Sequence, residues 1–195
     1  MQRRSFLIGL GAAIAAMPQA VRALTESSAK TLIDRLVADI NRVIASGKSQ
    51  NAMFRDFEKI FRSYSDTSYI AAYAMGPDAR RASSAQKRAF SKAFQSYISR
   101  KYGRRFREFV GGRLEVTGVK KVKKWYEVRT LAYLQGQSPF EVTFLVSDRS
   151  GKDLFFNMFI EGVNLLLTER TEVGALLDRN KGDIDKMIKE LSKLG

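Results

Sequence analysis

Cysteine and histidine are both absent from these 195 residues. Without cysteine there is no disulfide framework and no thiol nucleophile. Without histidine there is no imidazole base, and together the two absences remove the usual soft and nitrogen ligands of a zinc site. No metal and no cofactor is expected. Enzyme readings are left with carboxylate, lysine or serine chemistry. Acids are also in deficit: 20 stand against 34 basic residues, for a net charge of +14. No internal repeat, no low-complexity tract and no linker long enough to divide a domain is present.

A long apolar run is missing too. The uncharged stretch Ser5–Val21 is short for a membrane span and contains Pro18. It follows a basic start and precedes small residues, so residues 1–23 read as a secretory signal cleaved after Val21-Arg22-Ala23. Arg3-Arg4-x-Phe6-Leu7 resembles the twin-arginine consensus; a general-secretion signal holding two arginines is the alternative. Either route leads out of the cytoplasm, most simply to a Gram-negative periplasm. The remaining 172 residues keep 31 basic and 20 acidic side chains, a net +11. They are enough for one domain, residues 24–195, with a real core.

What is present is apolar periodicity. Leu32, Leu36, Ile40 and Val43 predict a helix over about 26–46. Phe54, Phe57, Ile60, Phe61 and Tyr64 make an aromatic stripe on a second. A third apolar segment, SYIAAYAMG, stops at Gly76-Pro77. Ser83-x-x-Gln86 reads as a capping box that opens a long helix over Ser84–Val110. Its buried face carries Phe90, Phe94, Tyr97, Ile98, Tyr102, Phe106 and Phe109. After Gly111-Gly112 the pattern changes to four strands, LEVTGVKKV, KWYEVRTLAYL, PFEVTFLVS and DLFFNMFIEG, joined by turn chemistry. Short links make them antiparallel neighbours. In the last strand Leu154, Phe156, Met158 and Ile160 are expected on one face, with Phe155, Asn157 and Phe159 on the other. Helices over about 165–177 and 183–193 close the chain. The fold class is α+β: a helical layer on a curved four-stranded antiparallel sheet.

These stripes serve as core in the ordinary reading. In the sharper one, helix and strand stripes face each other without meeting and enclose an apolar cavity. Thirteen phenylalanines, and a final strand apolar on both faces, exceed what a small one-sheet domain needs. Among charged groups, Lys120-Lys121-Val122-Lys123-Lys124 and the Arg100–Arg107 segment form basic patches. Export argues against a nucleic-acid partner. A solvated basic face and attraction to anionic membranes or acidic partners are equal readings. Glu161 follows an apolar strand with no second catalytic group at a recognisable spacing, so a structural role, pairing with Arg170, is preferred to a general base.

The residues Asn157-Met158-Phe159-Ile160-Glu161-Gly162-Val163-Asn164 resemble the D-V-x-V-E-G-V-S strand end of the MlaC family. These are periplasmic phospholipid-transport proteins, also called toluene-tolerance auxiliary proteins. Thr168-Glu169-Arg170 stands where the family has N-Y-R. Gly182-x-x-x-Lys186-Met187-Ile188 with Leu191 matches its closing helix, and Phe94-x-x-Tyr97-Ile98-x-x-x-Tyr102 its F-x-x-Y/L-L…Y helix. Order and spacing agree from about residue 26 to 194. The departures are Asn157 for Asp, Asn164 for Ser, Thr168-Glu169 for Asn-Tyr, and Asp153-Leu154-Phe155 for W-K-V.

That resemblance implies a phospholipid carrier, not an enzyme, acting in outer-membrane lipid asymmetry. Its acyl chains sit between helices and sheet with the headgroup toward solvent. The partners it implies are an MCE-domain subunit of an inner-membrane ABC transporter and an outer-membrane lipoprotein complex, with transient contact at the membrane surface. Stripe phase and resemblance together predict a lipid-binding lining of Tyr73, Phe94, Ile98, Tyr102, Phe144, Met158, Ile160 and Val163. The alternatives are a small-molecule enzyme on a cone-shaped α+β scaffold and an exported adaptor or chaperone for apolar peptides.

Overall fold

The computed structural model describes residues 23–105 and 111–194. The predicted signal, and the helix tail with Phe106 and Phe109, lie outside the described residues. Helices α1 (Glu26–Ile44), α2 (Gln50–Tyr64), α3 (Thr67–Met75) and α4 (Ser84–Arg105) come first. Strands β1 (Arg113–Val122), β2 (Trp125–Tyr133), β3 (Phe140–Ser147), β4 (Leu154–Ile160) and β5 (Val163–Asn164) follow, then α5 (Leu165–Arg179) and α6 (Ile184–Leu191). The strands form an open antiparallel meander in the order β1-β2-β3-β4-β5. The fold is α+β; the two-residue β5 makes the sheet five-stranded rather than four.

Local chemistry explains the element boundaries. Thr25 and Ser28 exchange backbone and side-chain hydrogen bonds at the start of α1, satisfying donors that the first helical turn leaves unpaired. Ser83 and Gln86 do the same for α4, at 3.0 and 3.1 Å, as their spacing predicts. Gly76 ends α3 with φ +64, a conformation open to glycine at no steric cost. Helix α1 buries Ile33 and Leu36 almost completely, worth about 3–6 kcal/mol for the pair. Asn41 fixes α1 to the sheet by bonding both the N–H and the C=O of Leu114 at 3.1 Å.

Register decides which side chains face the helices. Val142, Phe144 and Val146 on β3 stand opposite Ile160, Met158 and Phe155 on β4. The pairing skips Phe156, because a bulge interrupts the ladder between Leu145 and Val146. One extra residue reverses the facing of everything on one side of it. The expected grouping of Phe156 with Met158 and Ile160 is therefore corrected. Phe155 joins them, packing edge-on against Phe61 and Phe144 at 6.0 and 5.5 Å. Phe156 turns instead to Tyr69 and Trp125.

Beyond Ile160 the chain reverses in two residues, Glu161 and Gly162, with φ +49 and +79. Positive φ at both central positions marks a type I′ hairpin, closed by the pair Ile160–Val163. Buried Asn157 then fastens this corner. Its Oδ1 accepts from Met158 N and Leu166 N, and its Nδ2 donates to Asn164 Oδ1. Asn164 Oδ1 also caps α5 by accepting from Leu167 N. Two of the departures from the family pattern, Asn157 and Asn164, thus meet in one hydrogen bond. An aspartate at 157 would set two acceptors against each other there.

Candidate functional site: an apolar cavity between helices and sheet

The helical layer and the inner face of the sheet do not close on each other. Between them lies a cavity of about 340 Å³, at the lower end of the range for small-molecule pockets. Leu36 and Ile40 of α1, Phe57, Ile60 and Phe61 of α2, and Ile98 and Tyr102 of α4 form its roof. Phe140, Val142, Phe144, Phe155, Met158 and Ile160 form its floor. Gln137, Ser138 and Glu161 are the exposed members of the lining. They belong to the β2–β3 loop and the β4–β5 turn, so the opening is at that end of the sheet. The exposed polar residues sit at the rim and hydrocarbon dominates inside, interrupted by the buried Ser99 hydroxyl of α4, which has no hydrogen-bond partner among the described residues.

Close packing on one side holds the roof in place. A Cβ built on Gly103 would lie 2.7 Å from Phe54 Cδ1, so only glycine lets α4 approach α2 this closely. On the other side α4 is tied to α5 through a polar cluster. Tyr102 Oη donates to Glu169 Oε1. Lys101 Nζ donates to Glu169 Oε1 at 2.8 Å and to Glu172 Oε2 at 2.6 Å. Tyr97 Oη also donates to Glu172 Oε2, at 2.6 Å. Glu169 is only 3% exposed. Burial and the neighbouring carboxylates push the Tyr97 hydroxyl up. Burial opposes ionisation of Glu172, but hydrogen bonds from Lys101 and Tyr97 outweigh it and hold that carboxyl below its usual range. With its hydroxyl engaged by Glu169, Tyr102 contributes an aromatic ring to the cavity wall.

A second, narrower cavity of about 30 Å³ lies between α3, α4, α5 and β4. Phe61, Ile98, Tyr102, Phe155 and Met158 line both spaces. Of the eight residues predicted to line a site, the structure brings Ile98, Tyr102, Phe144, Met158 and Ile160 together on the main cavity. Phe94 borders the smaller one.

Tyr73 and Val163 are not on the main wall, and their prediction is corrected. Tyr73 packs against Tyr69 and under the Arg170 guanidinium, 5.2 Å from its ring centroid. Val163 is 55% exposed, because it follows the two-residue turn on the short edge strand β5. Arg170 stays with Tyr73 and forms no ion pair with Glu161. The sequence reading missed Leu36, Ile40, Phe57, Ile60, Phe61, Val142 and Phe155 as wall residues. Their stripes were legible as apolar, but no sequence signal distinguishes a stripe that meets its partner from one that stops short.

Among the described residues no helix is long and apolar enough to cross a membrane. A family model described as MlaC protein matches residues 30–193. No curated protein matches the chain. Among solved structures, a phospholipid-binding protein from Ralstonia solanacearum, in complex with a phospholipid, matches with a TM-score of 0.71. The two share 16% sequence identity, and the match covers 84% of this chain and 98% of that one. At that identity the likeness is one of fold.

Proposed function

From the chain's membership of the MlaC family, and from its cavity, we propose that it is a phospholipid carrier and not an enzyme. In this reading it moves lipid between the outer and inner membranes. The observation that carries it is a cavity of about 340 Å³ lined mainly by hydrocarbon, with its exposed polar residues at one rim. Ile98, Tyr102, Phe144, Met158 and Ile160 are the lipid-contacting residues in this proposal, with Phe61, Val142 and Phe155 beside them. Phe94 lines the adjoining space. Met158 is unbranched and adaptable. It lines both cavities, so a change in its rotamer makes room for more hydrocarbon.

The energetics suit a carrier. Each methylene withdrawn from water gains about 0.8 kcal/mol, so two acyl chains gain on the order of 20 kcal/mol. A bilayer offers nearly the same. The protein needs only to approach parity with the membrane, and an apolar cavity does so without directional contacts. Headgroup selectivity is then weak. The signal over residues 1–23 directs the 24–195 domain to the periplasm. Its partners are an MCE-domain subunit of an inner-membrane ABC transporter and an outer-membrane lipoprotein complex, with transient contact at the membrane surface.

A transfer assay tests this. Lipid-free protein is incubated with vesicles of phosphatidylethanolamine and phosphatidylglycerol, re-isolated, and its lipid extracted. Near-stoichiometric two-chain phospholipid is expected. Protein that returns without lipid overturns the proposal.

A further inference from the structure

The two ends of the sheet differ in charge, and the cavity opens at only one of them. At the end away from the opening, β1 and β2 are joined by Lys123 and Lys124, with Val122 paired to Trp125. Lys120 and Lys121 precede this turn, and all four lysines are exposed. The β3–β4 loop at the same end adds Arg149 and Lys152. Glu127, Asp148 and Asp153 are the carboxylates of these segments, and Asp148 accepts a hydrogen bond from Leu24 N. None of the four lysines has an ion-pair partner among the described residues. Lys123 also holds φ +54, where asparagine or glycine is the low-strain choice for a tight hairpin. A local rule is broken here in favour of one more positive charge.

We propose that this lysine hairpin docks the protein on an anionic bilayer surface, with the cavity mouth pointing away from that bilayer. Lysines are depleted at protein–protein interfaces, whereas flexible point charges suit a diffuse anionic surface. Trp125, half-buried at the base of the turn, packs edge-on against Phe156 with its indole N–H turned inside, so it marks this end of the sheet without entering the headgroups itself. Strand β2 runs from Trp125 toward the opening, and its eight residue steps span about 26 Å at ~3.3 Å each. Docking therefore leaves the mouth free for a partner. Surface attachment and lipid loading become separate events, and the inference stands whatever the cavity holds.

Trp125 is the only tryptophan in the chain, so its fluorescence reports this end alone. The test uses vesicles of 70% phosphatidylcholine and 30% phosphatidylglycerol at low salt, with pure phosphatidylcholine vesicles for comparison. Binding is expected to the anionic vesicles only, with Trp125 quenched by headgroup spin-labelled lipid. Each lysine near the surface is worth about fivefold in affinity. K120Q/K121Q/K124Q, three exposed changes that leave the strained position alone, should thus bind on the order of 100-fold more weakly. Equal binding to both vesicle types, wild-type affinity in the triple variant, or unquenched Trp125 in vesicle-bound protein overturns the proposal. So does an absence of vesicle binding, which leaves the cation cluster to an acidic protein. Lipid content of the variant, measured in parallel, keeps this result distinct from the carrier reading.

Discussion

Emptying the cavity should cost stability, and its volume sets the scale. Cavities in protein cores destabilise by about 24 cal/mol per Å³, so 340 Å³ corresponds to roughly 8 kcal/mol. That is an upper figure, since the opening admits water and the walls relax; about half of it, 4 kcal/mol, is the working value. Either figure is large against a typical total of about 5–15 kcal/mol. A change of 1 kcal/mol moves the midpoint of a domain this size by about 2–4 °C. Delipidated protein should therefore melt at least about 8 °C below the phospholipid-loaded form. The assay is calorimetry on matched samples, with lipid removed by apolar chromatography under refolding conditions. Adding back a two-chain phospholipid should restore the midpoint, and a single-chain detergent should restore less of it. Midpoints within 2 °C of each other would refute the reasoning, because the space would then be filled or collapsed without the guest.

Three other outcomes follow from named contacts. Met158→Trp places an indole in the cavity; lipid uptake from vesicles should fall severalfold, while urea unfolding shows a cost below the roughly 1–3 kcal/mol of overpacking a closed core. Lys101→Met leaves Glu169 buried without its cation and should cost about 3 kcal/mol by denaturant titration, with Lys101→Met/Glu169→Gln recovering part of it. Tyr97→Phe removes a hydrogen bond that holds the Glu172 carboxyl below its usual range. A depressed carboxyl stabilises the fold above its unfolded value of about 4.3 and loses that contribution as pH falls through the folded value. The stability gap between wild type and variant should be about 1 kcal/mol at pH 7, small because Glu172 is half-exposed, and should close below about pH 4.

Much of the architecture was legible because it rests on local chemistry. The reciprocal bonds of Ser83 and Gln86 need only their spacing, and Gly76 marks the end of α3 by its conformation. Val142, Phe144 and Val146 share the inward face of β3, although Thr143, Leu145 and Ser147 on its other face are buried as well. What was not legible depends on long-range registration. The bulge at Phe156 exchanges that residue for Phe155 on the cavity floor, and no residue type in β4 announces it. Tyr73 looked like a wall residue from its helix, but its ring is claimed by Arg170, nearly a hundred positions away. The Lys101–Glu169–Glu172 cluster spans two helices separated by the whole sheet. The cavity is the extreme case: apolar stripes that pack and apolar stripes that stand apart read alike along the chain, and only the assembled layers show the gap.

Native mass spectrometry of the protein, gently purified from its producing cells, decides whether the cavity carries lipid. An added mass matching one two-chain phospholipid is expected, released on mild activation and identified by fragmentation, with several headgroups represented. Protein that carries no such mass, and that acquires none after incubation with liposomes, would contradict it.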